Sequence, residues 1–126
     1  MTKTKNNDEF AKTNLRWAQV PTVHGKSNSI PSESGIYAYG EVRRVGGLPV
    51  EISWVYIAKS KNLKTRIGSG HDSSRESNQE LKRWMKRSKE SVELWFALVP
   101  EAALHTVESH LIATINPTFN VNLKKK

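Results

Sequence analysis

The sequence predicts an α/β domain of the α+β kind: a small, three-stranded, mainly antiparallel central sheet flanked by helices. Three observations carry that reading. Two strand-like runs, Gly35-Ile-Tyr-Ala-Tyr39 and Ile52-Ser-Trp-Val-Tyr-Ile57, are separated by a Gly46-Gly47 pair that suits a two-residue hairpin turn. A third run, Val92 to Val99, is apolar enough to lie centrally in a sheet, and Pro100 ends it. Leu104, Val107, Leu111, Ile112 and Ile115 then recur at helical spacing.

A length of 126 residues suits one domain with a single core. The absence of cysteine excludes disulfides and thiolate-bound zinc. The four histidines, His24, His71, His105 and His110, are too scattered to suggest a zinc site by spacing. There is no apolar run of membrane-crossing length and no secretory hydrophobic segment, so a cytoplasmic protein without a membrane partner is expected. The net charge of +8 points to an anionic partner. Residues 59–90 hold 10 of the 20 Lys and Arg but only 4 of the 12 acids. That concentration favours a nucleic-acid face over an ordinary solvated helix face.

Residues 1–33 read as an accessory segment: a short helix around Asp8 to Ala18, anchored by Phe10, Leu15 and Trp17, then a Ser- and Pro-rich loop. The main domain spans residues 34–122, and residues 123–126 form a basic tail. With Gly46-Gly47 as the hairpin loop, paired residue numbers sum to 93, so Tyr37 is expected to face Tyr56, with Tyr39 and Trp54 beside them. Pro49 and Gly40 could also introduce a bulge, and a one-residue slip would send the two phenols to opposite faces.

After the second strand, Ser60 is the expected N-cap of a short basic helix over 59–68. Leu63 and Ile67 share its buried face, Arg66 lies at the edge of that face, and Lys59, Lys61 and Lys64 complete four cations with no carboxylate among them. A polar loop from Ser69 to Ser77 contains His71. A second helix, Asn78 to Lys89, has Leu81, Trp84 and Met85 as its buried stripe, with Lys82, Arg83, Lys86 and Arg87 on the flanks. On the last helix, at about 100° per residue from Leu104, Glu108 falls at about +40°, inside the apolar stripe. A carboxylate there has to be paired, metal-bound or facing a cleft, because burying it alone is costly. The structural alternative is a salt bridge to a core arginine. Pro117 stops the helix, and Asn120 follows in a turn-like segment where local backbone bonding is the plain alternative.

These stretches together resemble the GIY-YIG nuclease family. Gly35-Ile36-Tyr37 is similar to its first signature triplet and Tyr56-Ile57-Ala58 to its second. Lys59 and Lys61-Asn-Leu-Lys-Thr-Arg66 resemble its basic helix, with the arginine ten residues after the second tyrosine. Glu108 resembles its metal-binding glutamate, and Asn116-Pro117-Thr-Phe-Asn120 its terminal Pro-x-x-Asn segment. The likeness runs from about residue 34 to 122. Ala58 departs from the family glycine and adds a methyl at the strand exit. The hairpin is lengthened by Glu41 to Glu51, and His71 falls five residues after Arg66, where some members carry a histidine one turn later.

The resemblance implies a stand-alone, metal-dependent DNA endonuclease of prokaryotic or phage type. It implies one Mg²⁺ (or Mn²⁺) per active site, with Glu108 as the sole protein carboxylate on it and waters in the other positions. Tyr37 would orient or deprotonate the attacking water. A free phenol titrates near about 10, so neighbouring Lys59 and Arg66 would have to favour its ionised form, with Tyr56 in the same network. Arg66 would clamp the scissile phosphate, and Asn120 would orient Glu108 or a water. Lys61, Lys64, His71, Lys82, Arg83, Lys86 and Arg87 would contact double-stranded DNA, mostly through phosphates. A homodimer or a specificity partner would supply target choice. Two rival readings are a catalytically silent nucleic-acid-binding module on the same scaffold and a basic interaction protein with a buried Glu108–Arg66 pair.

Overall fold

The computed structural model describes residues 15–20, 30–68, 79–87 and 91–120, with the Lys82 side chain excepted. The expected helix before Ala18, the His71 loop and the basic tail therefore lie largely or wholly outside the described residues. Four strands form one antiparallel sheet rather than the expected three: β1 (Trp17–Gln19), β2 (Gly35–Val45), β3 (Leu48–Ser60) and β4 (Val92–Leu98), in the order β1-β4-β2-β3. The additional strand comes from the end of the segment expected to be helical. Trp17 and Gln19 pair with Ala97 and Trp95 of β4, so period-two pairing overrides the short helical pattern.

Two layers cover the sheet. On one face, Tyr37, Tyr39, Val55, Leu94 and Phe96 meet Leu63, Ile67 from the π-helical turn that follows it at Lys64–Gly68, and Leu81, Trp84 and Met85 from α1 (Gln79–Arg87). On the other, Ile36, Ala38 and Ile57 pack against Leu104, Val107 and Leu111 of α2 (Leu104–Ile115), which follows a 3₁₀ turn at Glu101–Ala103. The α1 stripe read from spacing is buried, as are Leu104, Val107 and Leu111 of the α2 stripe, whereas Ile112 is half-buried and Ile115 is 37% exposed. Asn116, in the left-handed conformation at φ 56°, ends α2 by donating its N–H to the Ile112 carbonyl at 2.8 Å, one residue before Pro117.

The hairpin tip is as expected, with Val45 opposite Leu48 and Gly46 and Gly47 both at positive φ. The register below it differs. Irregularities between Arg43 and Arg44 and between Tyr39 and Gly40 each add one residue to the β3 side, so Tyr37 faces Ala58, Tyr39 faces Tyr56 and Trp54 faces Gly40. Tyr37 thus does not face Tyr56 directly. Two one-residue slips restore parity, so both tyrosines stay on the face covered by α1. The second bulge allows adjacent Val55 and Tyr56 both to reach that face. At Gly35, a Cβ would lie 2.4 Å from the Ala97 carbonyl oxygen and 2.6 Å from Leu63 Cδ1, so the start of β2 approaches β4 and Leu63 too closely for any side chain.

Candidate active site

The sequence-expected site residues gather at the Gly35–Ser60 end of the β2–β3 pair, in two groups separated by strand parity. Lys59 lies opposite Ile36 and shares the α2 side of the sheet with Ile57. Its Nζ donates to Oε1 of Glu108 at 3.1 Å, and the glutamate is only 8% exposed. Glu108 therefore resolves its burial through Lys59, which retains 44% exposure of its own side chain. The alternative partner, Arg66, is placed elsewhere: its guanidinium carbon stands 5.7 Å from the centroid of the Tyr37 ring, on the α1 side. The missed signal was parity, since Lys59 is two residues from Ile57 and β3 must present both to α2.

Tyr37 is 2% exposed, and its ring meets Tyr39 edge-on with centroids 6.0 Å apart. Tyr56 is half-buried opposite Tyr39. Tyr39 is thus the aromatic neighbour of both Tyr37 and Tyr56, whereas the undisturbed hairpin register pairs it with Trp54. Ala58 is half-buried opposite Tyr37 and packs on the same core cluster, which accommodates its methyl.

Ser60 does not cap the turn that follows. Its hydroxyl accepts from the Asn62 N–H at 3.1 Å and donates to the Asn62 carbonyl at 2.9 Å, while Asn62 Oδ1 accepts the Thr65 N–H at 3.1 Å and serves as the cap that leads to Arg66. Asn120 is 2% exposed, and its amide is set against the backbone of Ile57: Nδ2 donates to the carbonyl at 2.8 Å and Oδ1 accepts the N–H at 3.0 Å. Together with the Phe119 N–H bonded to the Val55 carbonyl at 2.7 Å, this segment seals the outer edge of β3 at Val55 and Ile57.

Among the described residues no group of three or more His, Asp or Glu is assembled. Glu108 could hold a divalent cation as a single carboxylate, with waters completing the coordination. The Lys59 bond engages one oxygen of Glu108; an ionised carboxylate has about four lone-pair sites, so acceptor capacity remains for a cation. Of the cations expected at the nucleic-acid face, Lys61, Lys64, Arg83, Lys86 and Arg87 are exposed. Arg83, Lys86 and Arg87 share the side of α1 opposite its buried stripe, and Lys61 lies 3.7 Å from Glu101, a solvent-exposed pair of little energetic weight. His71 and the Lys82 side chain lie outside the described residues.

No family model and no curated protein matches the chain. Among solved structures, it is similar to the GIY-YIG N-terminal endonuclease domain of UvrC from Thermotoga maritima. A tyrosine-to-phenylalanine point mutant of that domain, bound to the catalytic divalent cation, has a TM-score of 0.48 at 18% identity, covering 94% of this chain and 98% of that one. An asparagine-to-alanine point mutant, bound to its catalytic divalent cation, has a TM-score of 0.47 at 18% identity, covering 94% and 97%.

Proposed function

We propose that this chain is a GIY-YIG-type, metal-dependent endonuclease that hydrolyses DNA phosphodiester bonds at a single-cation site. The observation that carries the reading is the Lys59–Glu108 pair: a largely buried carboxylate held at 3.1 Å by the lysine that directly follows the second signature triplet. Phosphodiester hydrolysis needs an attacking water, a means of deprotonating it and stabilisation of negative charge on the phosphate and leaving oxygen. A bound Mg²⁺ or Mn²⁺ supplies the Lewis acid for that charge. Glu108 holds the cation, and Lys59 fixes the orientation of its carboxylate. Tyr56, the more exposed of the two tyrosines, orients the water, whereas Tyr37, 2% exposed, packs in the core beneath Arg66. Arg66, exposed above the Tyr37 ring, binds the scissile phosphate. Asn120 acts through the Ile57 backbone, by keeping the strand that carries Tyr56 and Lys59 in place.

Double-stranded DNA is the proposed substrate, approached through Lys61, Lys64 and the exposed basic side of α1. The test is nicking of supercoiled plasmid with Mg²⁺ and with EDTA: nicking confined to the metal reaction supports the proposal, and a plasmid that stays supercoiled under both contradicts it. A second reading, a silent DNA-binding module, is favoured by the burial of Tyr37. It predicts salt-sensitive DNA binding with no nicking.

A further inference from the structure

The single negative charge of Glu108 is already met by a lysine. Its Oε1 accepts from Lys59 Nζ at 3.1 Å, and the glutamate is 8% exposed. The ion pair next along the chain, Lys61 with Glu101 at 3.7 Å, is matched in the same way. Two lysines and two glutamates leave this end of the sheet with no net charge of its own for a cation to gain from. Oxygen sites take hard divalent cations more tightly as the charge on their ligands rises. A carboxylate shared with an ammonium is therefore a weak cation ligand: the two positive charges repel across one side chain, where burial limits screening by salt.

Lys59 also carries the means of lifting that repulsion. An ammonium has three N–H donors, and Glu108 occupies only one of them. The Lys59 side chain is 44% exposed, which leaves its head open to an anion arriving from solvent. Exposed Lys61 and Lys64 follow within five residues and draw the same kind of anion. A nucleic-acid phosphate that engages Lys59 adds negative charge beside Glu108. It also brings oxygens of its own, and Mg²⁺ is usually held by one or two carboxylates together with substrate phosphates.

We propose that Lys59 couples cation binding to nucleic-acid binding: it opposes a divalent cation at Glu108 until a phosphate engages its ammonium, so that cation and nucleic acid bind together. This rests on the endonuclease reading and describes how that same site is regulated. By linkage the coupling is reciprocal, so the cation tightens nucleic-acid binding by the factor that nucleic acid tightens the cation's.

Mn²⁺ uptake followed by electron paramagnetic resonance, with Glu108→Gln as the blank, reads the coupling without relying on cleavage. In the absence of DNA, Lys59→Met should bind Mn²⁺ about 10-fold tighter than wild type, or more. A phosphorothioate DNA duplex, which slows cleavage, should tighten Mn²⁺ binding to wild type by a similar factor and to Lys59→Met by much less. Lys59→Arg keeps the charge and should stay near wild type in both respects. A lysine that only oriented the carboxylate would make the opposite prediction, weaker Mn²⁺ binding on its loss. Unchanged or weaker binding in a Lys59→Met protein that melts cooperatively therefore overturns the inference. So does a wild-type affinity that the duplex leaves unaltered, a result that needs no variant to fold. Wild-type uptake no greater than the Glu108→Gln blank, with and without the duplex, removes the single-cation reading itself and the inference with it.

Discussion

Asn120→Ala offers the sharpest quantitative test of how the fold supports the site. The asparagine amide satisfies both the N–H and the carbonyl of Ile57, at 3.0 and 2.8 Å, and is 2% exposed. Alanine fills neither bond, and the Ile57 backbone is buried between α2 and the C-terminal segment. Each buried polar group left unsatisfied costs about 1–3 kcal/mol, so the pair predicts a loss of about 2–6 kcal/mol. Against a total stability of about 5–15 kcal/mol that is a large fraction, and at about 4 °C per kcal/mol it lowers Tm by about 8–24 °C. Thermal unfolding followed by circular dichroism reads this directly. A melt within about 3 °C of wild type would mean that water replaces the amide without penalty, and the edge-sealing role assigned to Asn120 would be wrong. Asn120→Asp adds a second arm: its carboxylate still accepts the N–H but faces the Ile57 carbonyl across 2.8 Å, so it should not rescue stability. Well below its melting point, Asn120→Ala should retain measurable nicking if the residue acts only through β3, and lose it if the side chain instead orients Glu108.

Three further outcomes follow from the geometry. Gly35→Ala drives a Cβ to 2.4 Å from the Ala97 carbonyl oxygen, a backbone atom that cannot swing aside, and should cost about 1–3 kcal/mol in urea denaturation; an unchanged midpoint refutes the close approach. The Lys59–Glu108 pair should respond asymmetrically in thermal melts, because Glu108 is the buried partner. Lys59→Ala strands a carboxylate and should cost about 1–2 kcal/mol, discounted for the partly exposed lysine, whereas Glu108→Gln should cost less; the reverse order contradicts the assignment. Replacing Arg83, Lys86 and Arg87 together should lower the salt slope of DNA binding by about 0.9 for each phosphate that these cations neutralise, and an unaltered slope would remove α1 from the interface.

Much of this molecule is written in its side-chain periodicity. The buried stripes of α1 and α2 follow the spacing of Leu81, Trp84 and Met85 and of Leu104, Val107 and Leu111, because each helix has only one apolar side to bury. Glu108 stood out for the same reason, as a charge inside such a stripe. The hairpin tip was legible from Gly46-Gly47, and Gly40 and Pro49 marked where bulges could fall, which is where the register shifts. That both occur, and so restore parity, was not legible, because it depends on how Val55 and Tyr56 together fill one face and how Trp54 settles over Gly40, which are tertiary packing effects. The pairing of Asn120 with Ile57 joins residues 63 apart, through a backbone whose open edge becomes apparent only once β3 is known to be the outer strand. β1 was missed because three residues in a strand cannot outweigh a helical pattern until β4 is there to pair with them.

Plasmid nicking by wild type and Glu108→Gln, in the same Mg²⁺ buffer and with matched melting curves, tests most directly whether Glu108 serves a nuclease site. The expected result is a folded variant whose nicking rate falls at least about 100-fold, the scale of losing a group that stabilises transition-state charge. A folded Glu108→Gln protein that nicks as fast as wild type would contradict it, leaving the Lys59–Glu108 pair as a strut between β3 and α2.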